Sequence, residues 1–178
     1  TDPNIHSMKR ACGRFDYGYN AHTAVDETAQ IVVAAELSNN SSDSDRLPVL
    51  LAAVKANLGE VPKQTLADAG FRSEAVFAQF KDSPVELIVA LGREGKQDLL
   101  IDAEQYPHRA AMDAKLKTAQ GQAAYRKRKW IVEAPYGWIK NVLGFRQFSL
   151  RGMEKANAEF KLVCMALNLR RMNGMGAR

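Results

Sequence analysis

The chain has 178 residues, 46% of them hydrophobic, which is enough for one domain with a buried core. It has no apolar run of about eighteen residues, which excludes a membrane-spanning helix, and its polar first twenty residues exclude a secretory signal. The two cysteines, Cys12 and Cys164, exclude a disulfide framework and predict a reduced, cytoplasmic setting.

The formal net charge is +5, but the charge is unevenly distributed along the chain. Residues 1–105 hold 10 Lys and Arg against 16 Asp and Glu, whereas residues 106–178 hold 15 against 4. Such a polarity predicts a basic face that meets a polyanion, with nucleic acid as the favoured partner. A merely solubilising surface is the alternative.

The predicted elements alternate between strands and helices. In chain order they are a polar lead-in (1–14), a hairpin (17–25 and 29–37), a helix capped by Asp43 and ending near Leu58, a buried strand (64–68), a helix capped by Ser73 (73–80), a strand (85–91), a mixed segment (92–118), a helix (120–143) and a last helix (153–172). The order predicts an α/β fold with a mixed sheet and helical crossovers, in one domain over 1–178.

Several apolar side chains are predicted to be buried. Leu58 continues the apolar stripe of the first helix, and Leu169 that of the last helix, whose tail at 173–178 is expected to fray. Trp130 and Trp138 lie among basic residues, where core packing is favoured over stacking on a displaced base.

Asp68 closes the apolar part of the segment LADAGF (66–71), at the carboxyl end of a predicted buried strand and just before a glycine turn. Catalytic and ligand-binding groups collect at such strand ends in open α/β sheets. A carboxylate that only caps the turn is the alternative.

Glu133 lies in RKWIVEAPYGWIK (128–140), on one predicted helical face with Arg126, Lys129 and Lys140. The alternative is a set of solvated helix salt bridges. Pro135 predicts that the helix kinks or restarts there. Together with Asp68, a carboxylate backed by a cationic helix is what a magnesium-dependent phosphoryl-transfer site on DNA requires.

These segments, with GYNAHTAVDE (18–27), GFRQFSLRG (144–152) and LVCMALNLRRM (162–172), resemble the catalytic domain of bacterial insertion-sequence transposases with a DDE triad. The resemblance covers nearly the whole chain. It implies a ribonuclease H-like mixed sheet flanked by helices, and three carboxylates that hold two divalent metals, Mg²⁺ or Mn²⁺. It also implies double-stranded DNA, both transposon ends and target, as partner, a homo-oligomer when intact, and a location at the bacterial nucleoid in the cytoplasm.

By this resemblance Asp68 is the second carboxylate of the triad and Glu133 the third, and both are metal ligands. The basic residues implied to contact DNA phosphates are Arg126, Lys127, Arg128, Lys129, Lys140, Arg146 and Arg151, with Arg170 and Arg171 also considered. The family carries its first Asp in an Asp-Gly-Thr or Asp-Ser-Thr motif on the first strand, and no such motif occurs here. We therefore expect an N-terminally truncated fragment, with that strand missing and little activity alone.

Two other readings stay open. One is a DNA-binding transposase remnant without catalysis, which the basic C-terminal half alone would explain. The other is an unrelated ribonuclease H-like nuclease, which would not account for GYNAHTAVDE and GFRQFSLRG.

Overall fold

The structure is a computed structural model that describes residues 2, 4–9, 13–92 and 100–176. The elements are β1 His6–Lys9, β2 Phe15–Gly18, β3 Asn20–Val25, β4 Val32–Ser38, α1 Arg46–Leu58, β5 Gln64–Ala67, a 3-10 turn Ala69–Phe71, α2 Glu74–Gln79, β6 Glu86–Val89, α3 Pro107–Lys117, α4 Ala119–Asn141 and α5 Met153–Gly176. They divide into two compact units, one formed by Thr1–Ser41 and Ile131–Arg178 and the other by Ser42–Trp130. The predicted α/β class is confirmed.

The first unit contains two antiparallel hairpins. The predicted hairpin is confirmed as β3 paired with β4, and its turn is held by the Asp26 carboxylate, which accepts hydrogen bonds from the N–H groups of Ala29 and Ile31. The second hairpin pairs β1 with β2. Its first strand lies where an irregular polar lead-in was predicted, so that prediction was wrong for 6–9.

Helix α5 covers β4 and completes the core of the first unit. Its buried side chains Ala156, Phe160, Cys164 and Leu167 pack in one cluster with Val32 and Leu37 of the strand. Asn168 both accepts from the Val32 N–H and donates to the Val32 carbonyl, each at 2.8 Å. Asn157 accepts from the Leu37 N–H at 3.0 Å. These amides satisfy backbone groups of β4 that would otherwise lie unpaired at a sheet edge.

Burial also determines the chemistry of Cys164. It raises the pKa of this free thiol to about 12, so the side chain is a packed, unreactive group at neutral pH. Cys12 lies outside the described residues.

In the second unit the strands β5 and β6 pair in parallel, with Ala67 opposite Val89. Their apolar side chains pack against α1, α2 and α3 in a separate core that includes Leu47, Phe77 and Met112. Ser73 caps α2 as predicted, because its Oγ accepts from the Val76 N–H at 3.4 Å.

Several predicted details are corrected. The N-cap of α1 is Asp45 rather than Asp43, and the helix ends at Leu58 as predicted, although Leu58 itself is 54% exposed. Leu169 is 59% exposed rather than buried. Helix α5 continues to Gly176, so the tail is helical over 173–176.

The described strands form three two-stranded sheets, two antiparallel and one parallel. Within the described residues, no helix is both long enough and apolar enough to cross a membrane.

The Asp2 carboxylate ties the segment before β1 to the start of α5. It accepts from the Tyr19 hydroxyl at 2.7 Å, from the Gly152 N–H at 2.9 Å and from the Asn4 N–H at 3.0 Å. These bonds, the Tyr19 bond foremost, hold the pKa of the Asp2 carboxyl below its ordinary value of 3.8. Burial and the adjacent Asp2 raise the pKa of Tyr19 to about 12, so its hydroxyl remains a donor at neutral pH. Asp2 is therefore a structural residue.

This lowered pKa predicts an acid-dependent contribution to stability. A carboxyl whose pKa is lower in the folded than in the unfolded state stabilises the fold above its unfolded pKa, and this contribution is lost as pH falls through the folded pKa. We expect Asp2→Asn to lower the thermal unfolding temperature at neutral pH, and the difference from the wild type to shrink below the ordinary Asp pKa of 3.8. Circular dichroism melts at a series of pH values measure this. A difference that widens on acidification would contradict the assignment.

Candidate functional site

Asp68 follows the last residue of β5, at the carboxyl end of the parallel pair, as the sequence predicts. Its side chain is exposed, and Oδ1 accepts a hydrogen bond from the Gly70 N–H at 2.9 Å, which caps the 3-10 turn. The turn-capping alternative is therefore observed as well. The capping hydrogen bond uses one oxygen of the Asp68 carboxylate, and the side chain remains exposed to solvent.

A second carboxylate, that of Asp43, approaches the same turn. A Cβ at position 70 would lie 2.5 Å from Asp43 Oδ2 and 3.0 Å from Asp68 Oδ1. Residue 70 must therefore be glycine for both carboxylates to keep these positions. The sequence does not place Asp43 near Asp68, because the two residues lie far apart in the chain and the local pattern around Asp43 indicates a helix cap.

Glu133 lies on α4, with an exposed side chain. Ile131, Pro135 and Ile139 are buried on the same helix, which turns Glu133 toward solvent. Within the described part of the chain its carboxylate makes no hydrogen bond or ion pair, so the alternative of a helix salt bridge is not observed. The predicted restart at Pro135 was wrong, because α4 runs from Ala119 to Asn141 without interruption.

Most of the predicted DNA-contacting cations are exposed. They are Arg126, Lys127, Lys129, Lys140, Arg146 and Arg151. Arg128 differs, because it is half-buried with its guanidinium 5.5 Å from the centre of the Tyr125 ring. Its Nε is buried and meets no acceptor among the described residues.

The tryptophans are not core residues, contrary to the prediction. Trp130 is 52% exposed and Trp138 is 37% exposed, with the Arg170 guanidinium 5.3 Å from the Trp138 ring centre. Arg171 donates instead to the Ala29 carbonyl and to Gln30 Oε1, which ties it to the β3–β4 turn. Arg171 therefore contributes to the fold of the first unit.

The predicted site residues fall in different units. Asp68 belongs to the second unit with Asp43, and Glu133 belongs to the first. Carboxylate oxygens are the donors that Mg²⁺ and Mn²⁺ prefer, so the chemistry of Asp43, Asp68 and Glu133 fits such a metal. Among the residues that the structure describes, no group of three or more His, Cys, Asp or Glu side chains converges on a metal position.

Comparison with known proteins gives the family. The family described as the transposase DDE domain matches residues 4–169, a range that contains Asp43, Asp68 and Glu133. Searches of curated proteins and of solved structures found no match. Since the family match covers nearly the whole chain, the protein belongs to the transposase DDE domain family.

Proposed function

We propose that the chain serves DNA transposition as part of a metal-dependent site that cleaves insertion-sequence ends and transfers the strands. The observation that carries the proposal is the family match over residues 4–169. Asp68 and Glu133 are assigned the second and third carboxylates. Both are exposed, as groups that must reach a metal and a DNA phosphate need to be.

The chain's own residues would divide the work as follows. Asp68 and Glu133 would hold Mg²⁺ or Mn²⁺ through carboxylate oxygens. The bound metal would activate the attacking hydroxyl and stabilise the departing oxygen of the phosphodiester. The turn at Gly70 would keep the Asp68 carboxylate pointing outward, because the Gly70 N–H binds one of its oxygens.

Double-stranded DNA is the proposed partner, held through its phosphates. The exposed cations Arg126, Lys127 and Lys129 lie on α4, the helix that carries Glu133. Contacts from these cations to phosphates would orient the DNA backbone along that helix. Such contacts carry no sequence information.

We also propose the finer features that follow from the family: a ribonuclease H-like mixed sheet, a homo-oligomer, and a location at the bacterial nucleoid. The second candidate function is a DNA-binding transposase remnant without catalysis. It is favoured by the sequence, in which only Asp68 and Glu133 are assigned to the triad and no Asp-Gly-Thr or Asp-Ser-Thr motif occurs.

The deciding experiment is nicking of supercoiled plasmid with Mg²⁺ or Mn²⁺, alongside a DNA-binding measurement. With two of three triad carboxylates, we expect DNA binding but little or no nicking by this chain on its own. Robust nicking that Glu133→Gln abolishes would show a complete site and refute the expected inactivity. Absence of DNA binding would refute both candidate functions.

A further inference from the structure

The loop between α4 and α5, residues 142–152, has an inner and an outer side. On the inner side Phe145 and Phe148 pack against the core of the first unit, with their ring centres 5.2 Å apart. The Phe148 ring also lies edge-on to the buried Phe160 ring of α5. The outer side consists of exposed side chains, which are Arg146, Gln147, Ser149, Leu150 and Arg151. The packing of the two phenylalanines therefore determines which side chains the loop presents to solvent.

The Glu159 carboxylate of α5 holds the tip of this loop. Its two oxygens accept from the Ser149 N–H at 2.9 and 3.0 Å, and Oε2 also accepts from the Leu150 N–H at 2.9 Å. Leu150 is nevertheless 47% exposed, so its backbone is held while its side chain remains in solvent. A tip ordered in advance loses little conformational entropy when it meets a partner.

The chemistry of the outer side fits DNA. Leu150 is its one large apolar side chain and lies beside Arg151 in the chain, with Arg146 four residues earlier. The Arg146 guanidinium is restrained by donating to Asn141 Oδ1 at 3.0 Å. Residues 142–152 include no acidic residue. DNA-bending proteins combine these same parts, because their cations hold phosphates while an apolar side chain enters between two base pairs.

We propose that Leu150 is a wedge that inserts between neighbouring base pairs of bound duplex DNA, and that Glu159 is the residue that positions it. Arg146 and Arg151 contact phosphates near the opened step. The inference rests on the proposed function, because it takes duplex DNA as the partner, and it adds a contact to bases that phosphate contacts do not supply. Since TA steps unstack readily, the wedge gives the chain a preference for sequences that contain them.

Duplexes whose TA steps carry 2-aminopurine test the wedge, because this base fluoresces more strongly when it is unstacked. Binding of the wild type is expected to brighten the probe, and Leu150→Ala to lose most of that brightening. The salt dependence of binding should be the same for both, because leucine neutralises no phosphate. The matched control is Leu162→Ala, which shortens a leucine of α5 that is 59% exposed and lies outside the loop. This control should brighten the probe as the wild type does.

Glu159→Gln separates positioning from charge. Its amide offers one acceptor oxygen in place of two, so the loop tip loses part of its support. Removing a negative charge should by itself favour binding of a polyanion, so we expect affinity to be kept while the brightening is lost. Glu154→Gln removes an exposed carboxylate at the start of α5 and should keep the brightening. Full brightening by Glu159→Gln would refute the positioning role.

The same measurements distinguish failure of the wedge from failure of the proposed function. A wild type that binds the duplex without brightening the probe, or full brightening by Leu150→Ala, would overturn the wedge and leave the proposed function intact. A wild type that binds no duplex would refute the proposed function and the wedge with it.

Discussion

Replacing Asp68 by Asn is expected to abolish both backbone cuts that bound Fe²⁺ makes in the wild type, one near residue 68 and one near residue 133. Fe²⁺ occupies carboxylate sites in place of Mg²⁺ and, with peroxide and ascorbate, generates radicals that cut the nearest backbone. If Asp68 and Glu133 hold one metal site, the wild type should give both cuts. The asparagine amide lacks the anionic oxygen, so metal affinity should fall at least about 10-fold and both cuts should fade. Mass spectrometry of the fragments measures this.

Two further variants make the iron experiment specific. Asp82→Asn removes an exposed carboxylate of the same unit and should leave both cuts unchanged. Gly70→Ala keeps every charge, but its Cβ would crowd Asp43 Oδ2 and Asp68 Oδ1, so it should weaken the cuts. A wild type cut near residue 68 alone would contradict the assignment of Glu133 to the same metal site.

Local signals made much of the fold predictable. The Ser73 cap, the β3–β4 hairpin and the strand β6 each depend on a few neighbouring residues, so a sequence pattern suffices to find them. Strand β1 carries no apolar alternation and exists through backbone pairing with β2, which no pattern within 6–9 shows. The sequence also does not decide whether Asp43 or Asp45 is the N-cap of α1, because aspartate is a good capping residue at either position.

Long-range packing explains the other differences. Leu169 continues the apolar pattern of α5, but the width of the core decides which apolar residues are covered, and β4 covers only one side of that helix. A kink or restart of the helix was expected at Pro135 because proline lacks an N–H. Tyr136 donates its hydroxyl to the Ala21 carbonyl at 2.9 Å and Ile139 is buried, and such tertiary contacts outweigh one lost backbone bond.

The positions of Asp68 and Glu133 within their elements were predictable from the sequence, but the side chains that surround them were not. The strand-end position of Asp68 and the helical face of Glu133 follow from periodicity, and both are observed. The approach of Asp43 to Gly70 depends on how α1 and β5 meet, which is a tertiary property. Likewise, the sequence marks the cations of 126–129 as equally basic, whereas only the structure separates the half-buried Arg128 from its exposed neighbours.

Changing Arg126, Lys127 and Lys129 together to Gln is expected to weaken binding to duplex DNA of any sequence. Each cation that neutralises one phosphate contributes about 0.9 to the slope of log affinity against log salt, so the slope should fall by nearly 3. At about 0.1 M salt this corresponds to a loss of affinity on the order of 10²-fold. Fluorescence anisotropy of a labelled duplex at several salt concentrations measures both quantities.

The matched control removes the same charge from the same unit at another surface. Lys55, Lys63 and Lys81 are exposed and lie outside the helix that carries Glu133. Their joint change to Gln lowers the net charge equally, so long-range attraction falls alike in both triple variants. If only bulk charge mattered, the two variants would lose affinity equally and the helix would not be the phosphate-binding surface. Direct contact along α4 requires instead that the salt slope fall mainly in the variant of Arg126, Lys127 and Lys129.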